Sequence, residues 1–259
     1  DLSDRVSGGR RALQGVMLAA VATLALASAC ARFNAQAFQD SDALYRASLS
    51  EFRHGRFLRA QSGFQRLSFE LTPRDSLFTL VRFYLAETYF GVRDYVTAAR
   101  EFRRVSDEAP DDPLAATALL RAGDSYAQLW RRPQLDPTSG QTAMATWQEL
   151  QGRYPGSEAA EVSFARVRAL NDAFALRDYE TGMFYLRRGG YDSAILYFRA
   201  LISTYPSSTL VPEAFVRLVR AYDAIGYREE KAETCQHLAQ YYPNRRDVRE
   251  ACGDRNTGR

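Results

Sequence analysis

The sequence predicts an all-α chain, a superhelix of stacked helix pairs that follows an export signal. Three observations lead there. A small residue, an aromatic and a proline recur at one spacing, four residues and then eight: Ala98, Phe102 and Pro110; Ala143, Trp147 and Pro155; Ala194, Phe198 and Pro206. Tyr89 and Tyr185 stand nine residues ahead of Ala98 and Ala194. An apolar run from Ala12 to Ala29 ends directly on Cys30, with Arg5, Arg10 and Arg11 before or at its start.

The N-terminal run reads as processing information rather than fold. Leu13, Val16, Met17, Leu18, Val21, Leu24 and Leu26 supply its apolar stretch, and Ala27-Ser28-Ala29-Cys30 has the form of a bacterial lipobox. A cysteine there can take a diacylglyceryl thioether, and cleavage before it exposes an amine for a further acyl chain. Each buried methylene then adds about 0.8 kcal/mol of membrane affinity. Residues 1–29 are therefore expected to be a cleaved lipoprotein signal peptide, Cys30 the lipidated residue, and 30–40 a linker. A transmembrane helix is the weaker alternative, because the run is at the lower edge of spanning length and no basic cluster follows it.

Each pair in the array has a physical logic. The alanine lets two helices approach, the aromatic fills the space between them, and the proline ends the second helix because it has no amide to donate. With Gly182 three residues before Tyr185, the arrangement is that of tetratricopeptide repeats. Ala60, Phe64 and Pro73 mark a first pair, and Leu218, Tyr222, Cys235 and Pro243 a last one, where Lys231 takes the small position beside Ala232. The expected helices are 41–54 with 57–71, 76–90 with 94–108, 113–130 with 139–154, 157–189 with 191–205, and 209–225 with 228–242, ten helices in five pairs. Asp112 before Pro113, Ser157 before Glu158, and Ser208 through Pro212 are start signals.

Two departures from the repeat are informative. Residues 131–138, with Pro133 and Pro137, form an insertion in the third pair that reads as an exposed loop. The stretch from Ser157 to Arg188 has no proline and only Gly182, so it predicts a helix about twice the usual repeat length, bridging two halves of the array. Pairs one and two thus occupy 41–111, pair three 112–156, and pairs four and five 157–243. Residues 244–259, rich in Arg, Asp, Asn and Gly, are expected to be a flexible tail.

Composition argues against several function classes. A formal net charge of +3 gives no electrostatic case for nucleic acid, and Lys231 is the sole lysine, an arginine bias that reflects genome composition more than a phosphate-binding surface. Two histidines, His54 and His237, and three cysteines are too few soft ligands for a zinc or iron site, so no metal and no cofactor is expected. No Ser/His/Asp or Cys/His grouping and no Gly-rich phosphate loop can be assembled, so the chain is not expected to be an enzyme. Cys235 and Cys252 are either joined in an oxidising compartment or stand as separate thiols, because spacing does not decide disulfide geometry.

Certain residues carry a more specific resemblance. They are Ala43-Leu44-Tyr45, Leu135-Asp136-Pro137, the run from Gln148 to Tyr154-Pro155-Gly156-Ser157, and Tyr185-Leu186-Arg187-Arg188-Gly189-Gly190-Tyr191. Together with the lipobox, five repeats, the insertion and the long helix, they make residues 27–245 resemble the BamD family, lipoprotein subunits of the outer-membrane β-barrel assembly machinery (BAM complex). The chain departs from that pattern at Gly190-Tyr191-Asp192, where an alanine-rich turn is more usual, and in the Gln- and Arg-rich third pair. The resemblance implies a scaffold anchored by lipid on the periplasmic face of the outer membrane. It also implies binding to a BamA-like POTRA/β-barrel subunit and receipt of unfolded outer-membrane proteins for folding and insertion. A different class remains as the alternative, a cell-envelope coordinator resembling CpoB and associated with Tol-Pal, although this chain lacks the heptads of the coiled coil usual in such proteins.

In a tetratricopeptide array the first helix of each pair faces a concave groove that takes an extended peptide. Positions two, five, nine and twelve of that helix are Asp42, Tyr45, Leu49 and Phe52 in the first repeat, and Leu80, Phe83, Glu87 and Phe90 in the second. Tyr45, Leu49, Phe52, Phe83, Glu87 and Phe90 are accordingly the expected groove for the aromatic-ended C-terminal signal of an outer-membrane protein, packing against neighbouring helices being the alternative. For the POTRA contact the expected residues are Tyr197, Arg199, Arg217 and Arg220, because aromatics and arginines dominate interface hot spots.

Overall fold

Several helices start where a side-chain oxygen meets the amides that the first turn leaves free. The Asp40 carboxylate accepts from the Ala43 amide at 2.8 Å, Asp112 from Leu114 at 2.8 Å, and Ser157 Oγ from Ala160 at 3.1 Å. A computed structural model describes residues 33–132 and 136–253. The lipobox with Cys30, Pro133 through Leu135 of the insertion, and the last six residues lie outside the described residues. Among the described residues there are eleven α-helices, one 3-10 turn and no strand. The helices are α1 (Ser41–Arg53), α2 (Phe57–Glu70), α3 (Phe78–Gly91), α4 (Tyr95–Glu108), α5 (Leu114–Leu129), α6 (Thr138–Arg153), α7 (Glu158–Arg187), α8 (Tyr191–Thr204), α9 (Val211–Ile225), α10 (Arg228–Tyr241) and α11 (Arg246–Cys252).

The chain divides after Glu70 into two compact units, a boundary between the first and second helix pairs. In the first unit α1 packs on α2 around Leu44, Ala60, Phe64 and Leu67. Ser48 of α1 is fully buried against Gly63 of α2, where any side chain would collide with its hydroxyl. Arg66 donates to the carbonyls of Ala35 and Phe38, at 2.5 and 2.9 Å, and so fastens the 3-10 turn Ala35–Ala37 to α2.

The second unit stacks α3 with α4, α5 with α6, α7 with α8, and α9 with α10. In three of these pairs an aromatic of the second helix is sunk into the first: Phe102, Trp147 and Phe198 are all nearly or fully buried. Each meets a small residue there. Phe102 packs in one core with Ala86, Trp147 lies against Gly123, and a Cβ on Gly182 would come within 2.7 Å of the Phe198 ring. The spacing seen in the sequence is thus a packing rule, one large residue matched to one missing side chain.

The 30-residue α7 serves two cores. Its Leu170 and Phe174 join Trp130, Trp147 and Leu150, while Ala175 joins Phe198, Leu201, Leu218 and Tyr222. Asp172, between them, accepts from Ser208 Oγ at 2.7 Å and from the Thr209 amide at 3.0 Å, which holds the α8–α9 loop.

The expected tail and helix count need correction, and one of the two alternatives for the C-terminal cysteines holds. Residues 246–252 of the expected flexible tail form α11, so that among the described residues there are eleven α-helices rather than the expected ten. Cys235 and Cys252 are joined, with a Cα–Cα distance of 5.6 Å, and the bond ties α11 to α10. Among the described residues no helix is long and apolar enough to cross a membrane.

Candidate functional site

The expected groove residues fall in both units, and each unit is described by itself. In the first, Tyr45, Leu49 and Phe52 are half-buried along α1. The Tyr45 ring lies 6.2 Å from Phe64, and Phe52 meets Phe57 edge-on at 5.5 Å. Both rings therefore lean on α2 with part of their surface.

In the second unit the residues separate by depth. Phe83 is only 9% exposed and packs edge-on against Phe102 at 5.5 Å, so it is a core residue and not a pocket wall, contrary to expectation. Position five of the first helix points here at the second helix of its own pair. Glu87 and Phe90, in contrast, stay half-buried and share one partner, Arg121 of α5. Its Nε and second guanidinium nitrogen donate to the two Glu87 oxygens at 2.6 and 2.7 Å. Its Cζ lies 4.0 Å over the centre of the Phe90 ring, whose other neighbour is Tyr95 at 5.1 Å.

This contact belongs to a longer chain of charges. Arg121 also donates to Asp124 at 3.3 Å, and Asp124 pairs with Arg166 of α7 at 3.2 Å. Burial works against the charge on Arg121, but its bonds to Glu87 and Asp124 outweigh that and raise its basicity. Glu87, Arg121, Asp124 and Arg166 thus form an alternating ladder across α3, α5 and α7, with the Phe90 ring beneath its first arginine. Arg121 lies at position six of its repeat, one place outside those the groove register tests. The recurrence of an acid at position nine, Glu87 and then Asp124, is the signal that points to it.

The candidate partner residues also divide. Arg217 is turned inward, its Nε donating to the Tyr179 hydroxyl at 3.0 Å and its second nitrogen to Glu213 at 2.6 Å. The Tyr179 hydroxyl in turn donates to Glu213 at 2.7 Å, which closes a triad between α7 and α9. Those bonds from Tyr179 and Arg217 hold the Glu213 carboxyl below the usual glutamate range. Tyr197 is half-buried and stacked on Tyr185 at 5.7 Å. Arg199 and Arg220 are exposed. Arg199 stands at a cavity of about 560 Å³ lined also by Leu196, Phe215, Glu230 and Glu233, whereas Arg220 and Tyr197 are outside it. Among the described residues no group of three or more His, Cys, Asp or Glu side chains could hold a metal ion.

Residues 38–238 match the model of the YfiO family, described as outer membrane lipoprotein. The outer membrane protein assembly factor BamD of Caulobacter vibrioides is 28% identical over 158 residues, 61% of this chain and 52% of that one. BamD of Neisseria meningitidis serogroup A is 26% identical over 157 residues, 57% of this chain and 58% of that one, and BamD of Rickettsia prowazekii 24% over 175 residues, 68% and 67%. The chain spans about half the length of the first two of these relatives.

Proposed function

Because the chain belongs to the YfiO family of outer membrane lipoproteins, we propose that it is a scaffold subunit of the β-barrel assembly machinery, held by lipid on Cys30 at the periplasmic face of the outer membrane. It binds the POTRA-bearing, barrel-forming subunit and receives unfolded outer-membrane proteins for insertion. The observation that carries this reading is the family match over residues 38–238, which spans nearly the whole array, so the resemblance is not confined to generic repeat positions.

The two roles fall on different surfaces. Within the first unit Tyr45, Leu49 and Phe52 of α1, and separately within the second unit Glu87 and Phe90 of α3 with Arg121 over them, are candidate peptide-receiving residues. The half-buried ring of Phe90 beside the paired charges of Glu87 and Arg121 suits the end of a segment that carries an aromatic residue and a carboxylate. Phe83 supports Phe90's helix from within the core. Arg199 of α8, with the cavity beside it, Tyr197 of the same helix and Arg220 of α9 are the partner-facing candidates, while Arg217 positions α9 through Tyr179 and Glu213.

Depletion of the protein in its native cell tests the function. Outer-membrane β-barrel proteins should fall in abundance while inner-membrane and soluble periplasmic proteins hold steady; undiminished barrels would overturn the reading. For the anchor, Cys30→Ser should abolish incorporation of labelled palmitate, and a mutant that still takes up label would contradict lipidation there.

A further inference from the structure

The segment that leads from the lipobox into the first helix is clamped to α2. Arg66 donates to the carbonyls of Ala35 and Phe38, Asn34 accepts from the Gln36 amide at 3.0 Å, and Ala35 is buried. Phe33 lies at Gly63, in the middle of α2, where a Cβ would come within 3.0 Å of the Phe33 ring. Cys30 precedes Phe33 by three residues, which span at most about 11 Å however the backbone runs. α2 has 14 residues and is thus about 21 Å long. The backbone of Cys30 can therefore stand no farther from Phe33 than about half the length of that helix.

The same helix carries an apolar stripe. Leu58, Ser62, Gln65 and Phe69 recur at intervals of four, three and four, which places them along one side of α2. Leu58 is 71% and Phe69 88% exposed, the two most exposed large apolar side chains among the described residues. Gly63 and Arg66, which hold the clamped segment, each follow a residue of the stripe and so lie about 100° around the helix from it. Clamp and stripe thus occupy adjoining sides. The acids bonded there are neutralised, Glu51 by Arg56 at 2.6 Å and Arg59 at 3.8 Å, and Glu70 by Arg66 at 2.7 Å, so they leave no unpaired carboxylate to oppose anionic headgroups. Single exposed apolar residues are ordinary on any surface. These two share a helix with a tether too short to let that helix leave the surface to which Cys30 is anchored.

We propose that α2 is a membrane-docking helix: the clamped segment lays it along the periplasmic leaflet, and Leu58 and Phe69 enter the boundary between lipid headgroups and acyl chains. The inference rests on acylation of Cys30, the anchor proposed above. The occupant of the stripe is phospholipid. A short, fixed tether keeps α2 at a high effective concentration against the bilayer, so two shallow apolar side chains suffice to hold their place there. The first unit is thereby set in one orientation on the membrane instead of swinging on a loose leash.

Tryptophan in place of Leu58 or Phe69 tests this, in the acylated protein reconstituted into vesicles of phosphatidylethanolamine and phosphatidylglycerol with brominated acyl chains. The native Trp130 and Trp147 are 7% and 3% exposed and supply a constant background. Leu58→Trp and Phe69→Trp should show blue-shifted emission that bromine quenches. Arg46→Trp, exposed on the side of α1 turned from the buried Leu44 and Ser48, should show neither. Arg66→Met releases both carbonyls, so in the Phe69→Trp protein it should lower the quenching at least about twofold, with palmitate label and far-ultraviolet circular dichroism unchanged. Palmitate uptake with an unquenched tryptophan at 58 and 69, or equal quenching at 46, would overturn the docking and leave the anchor standing. Absence of palmitate would overturn the anchor and the docking with it. A dimer of the acylated protein in detergent micelles that Phe69→Ser dissolves would give the stripe to a second copy and likewise overturn the proposal.

Discussion

The guanidinium of Arg121 lies over the Phe90 ring, its Cζ 4.0 Å from the ring centre, while its nitrogens hold both oxygens of Glu87. One side chain from α5 thereby fixes an acid and an aromatic on α3. Arg121→Met should remove the cation yet keep most of the stem. It leaves Glu87, at 15% side-chain exposure, without its partner while Asp124 keeps Arg166, so urea unfolding should show a loss of about 2 kcal/mol. A loss near zero would mean that the ladder is an ordinary solvated ion pair.

Phe83 and Phe90 are seven residues apart on one helix, yet truncation should affect different properties. Phe83→Ala opens a cavity against Phe102 and should cost about 3 kcal/mol of stability. Phe90→Ala should cost less in stability but weaken binding of a peptide with a C-terminal aromatic about tenfold, as read by fluorescence anisotropy. Equal binding by wild type and Phe90→Ala would remove Phe90 from the proposed groove.

Two glycines separate packing from propensity. A Cβ on Gly123 collides with the indole of Trp147, whose Nε1 donates to the Leu120 carbonyl at 3.2 Å, so Gly123→Ala should destabilise by about 1–3 kcal/mol and shift tryptophan emission. Gly152, on α6, has nothing within 4 Å of such an atom, and Gly152→Ala should stabilise by up to about 1 kcal/mol. Thermal unfolding of the two variants should move in opposite directions.

The Tyr179–Glu213–Arg217 triad predicts a pH dependence with a definite sign. Bonds from Tyr179 and Arg217 lower the Glu213 carboxyl below its unfolded value, so its contribution is present above the ordinary glutamate range and disappears as pH falls through the folded value. Glu213→Gln lacks that contribution at every pH. The melting-temperature gap between wild type and variant should therefore be widest near neutrality and narrow below about pH 4.

The repeat array is legible in the chain because each pair needs a fixed match between a small and a large side chain, and such a match leaves a fixed spacing: Gly182 with Phe198 shows it most clearly. The long α7 is legible for a similar reason, since nothing between Ser157 and Arg188 interrupts a helix. α11 leaves no such mark. Seven residues make less than two turns, too few for a hydrophobic period, and its place is set by Val248 and a covalent bond. Register places Phe83 along its helix, and residue type singles out Arg217 as a hot-spot arginine, but neither shows the neighbours that bury the one and bond the other.

Membership of a barrel-assembly complex can be read by affinity purification of the tagged, lipidated protein from mildly solubilised envelopes, followed by mass spectrometry. A POTRA-bearing β-barrel protein should be recovered in stoichiometric yield, reduced by charge reversal at Arg199. Recovery of Tol or Pal components without any such barrel protein would contradict it and place this array among the envelope coordinators instead.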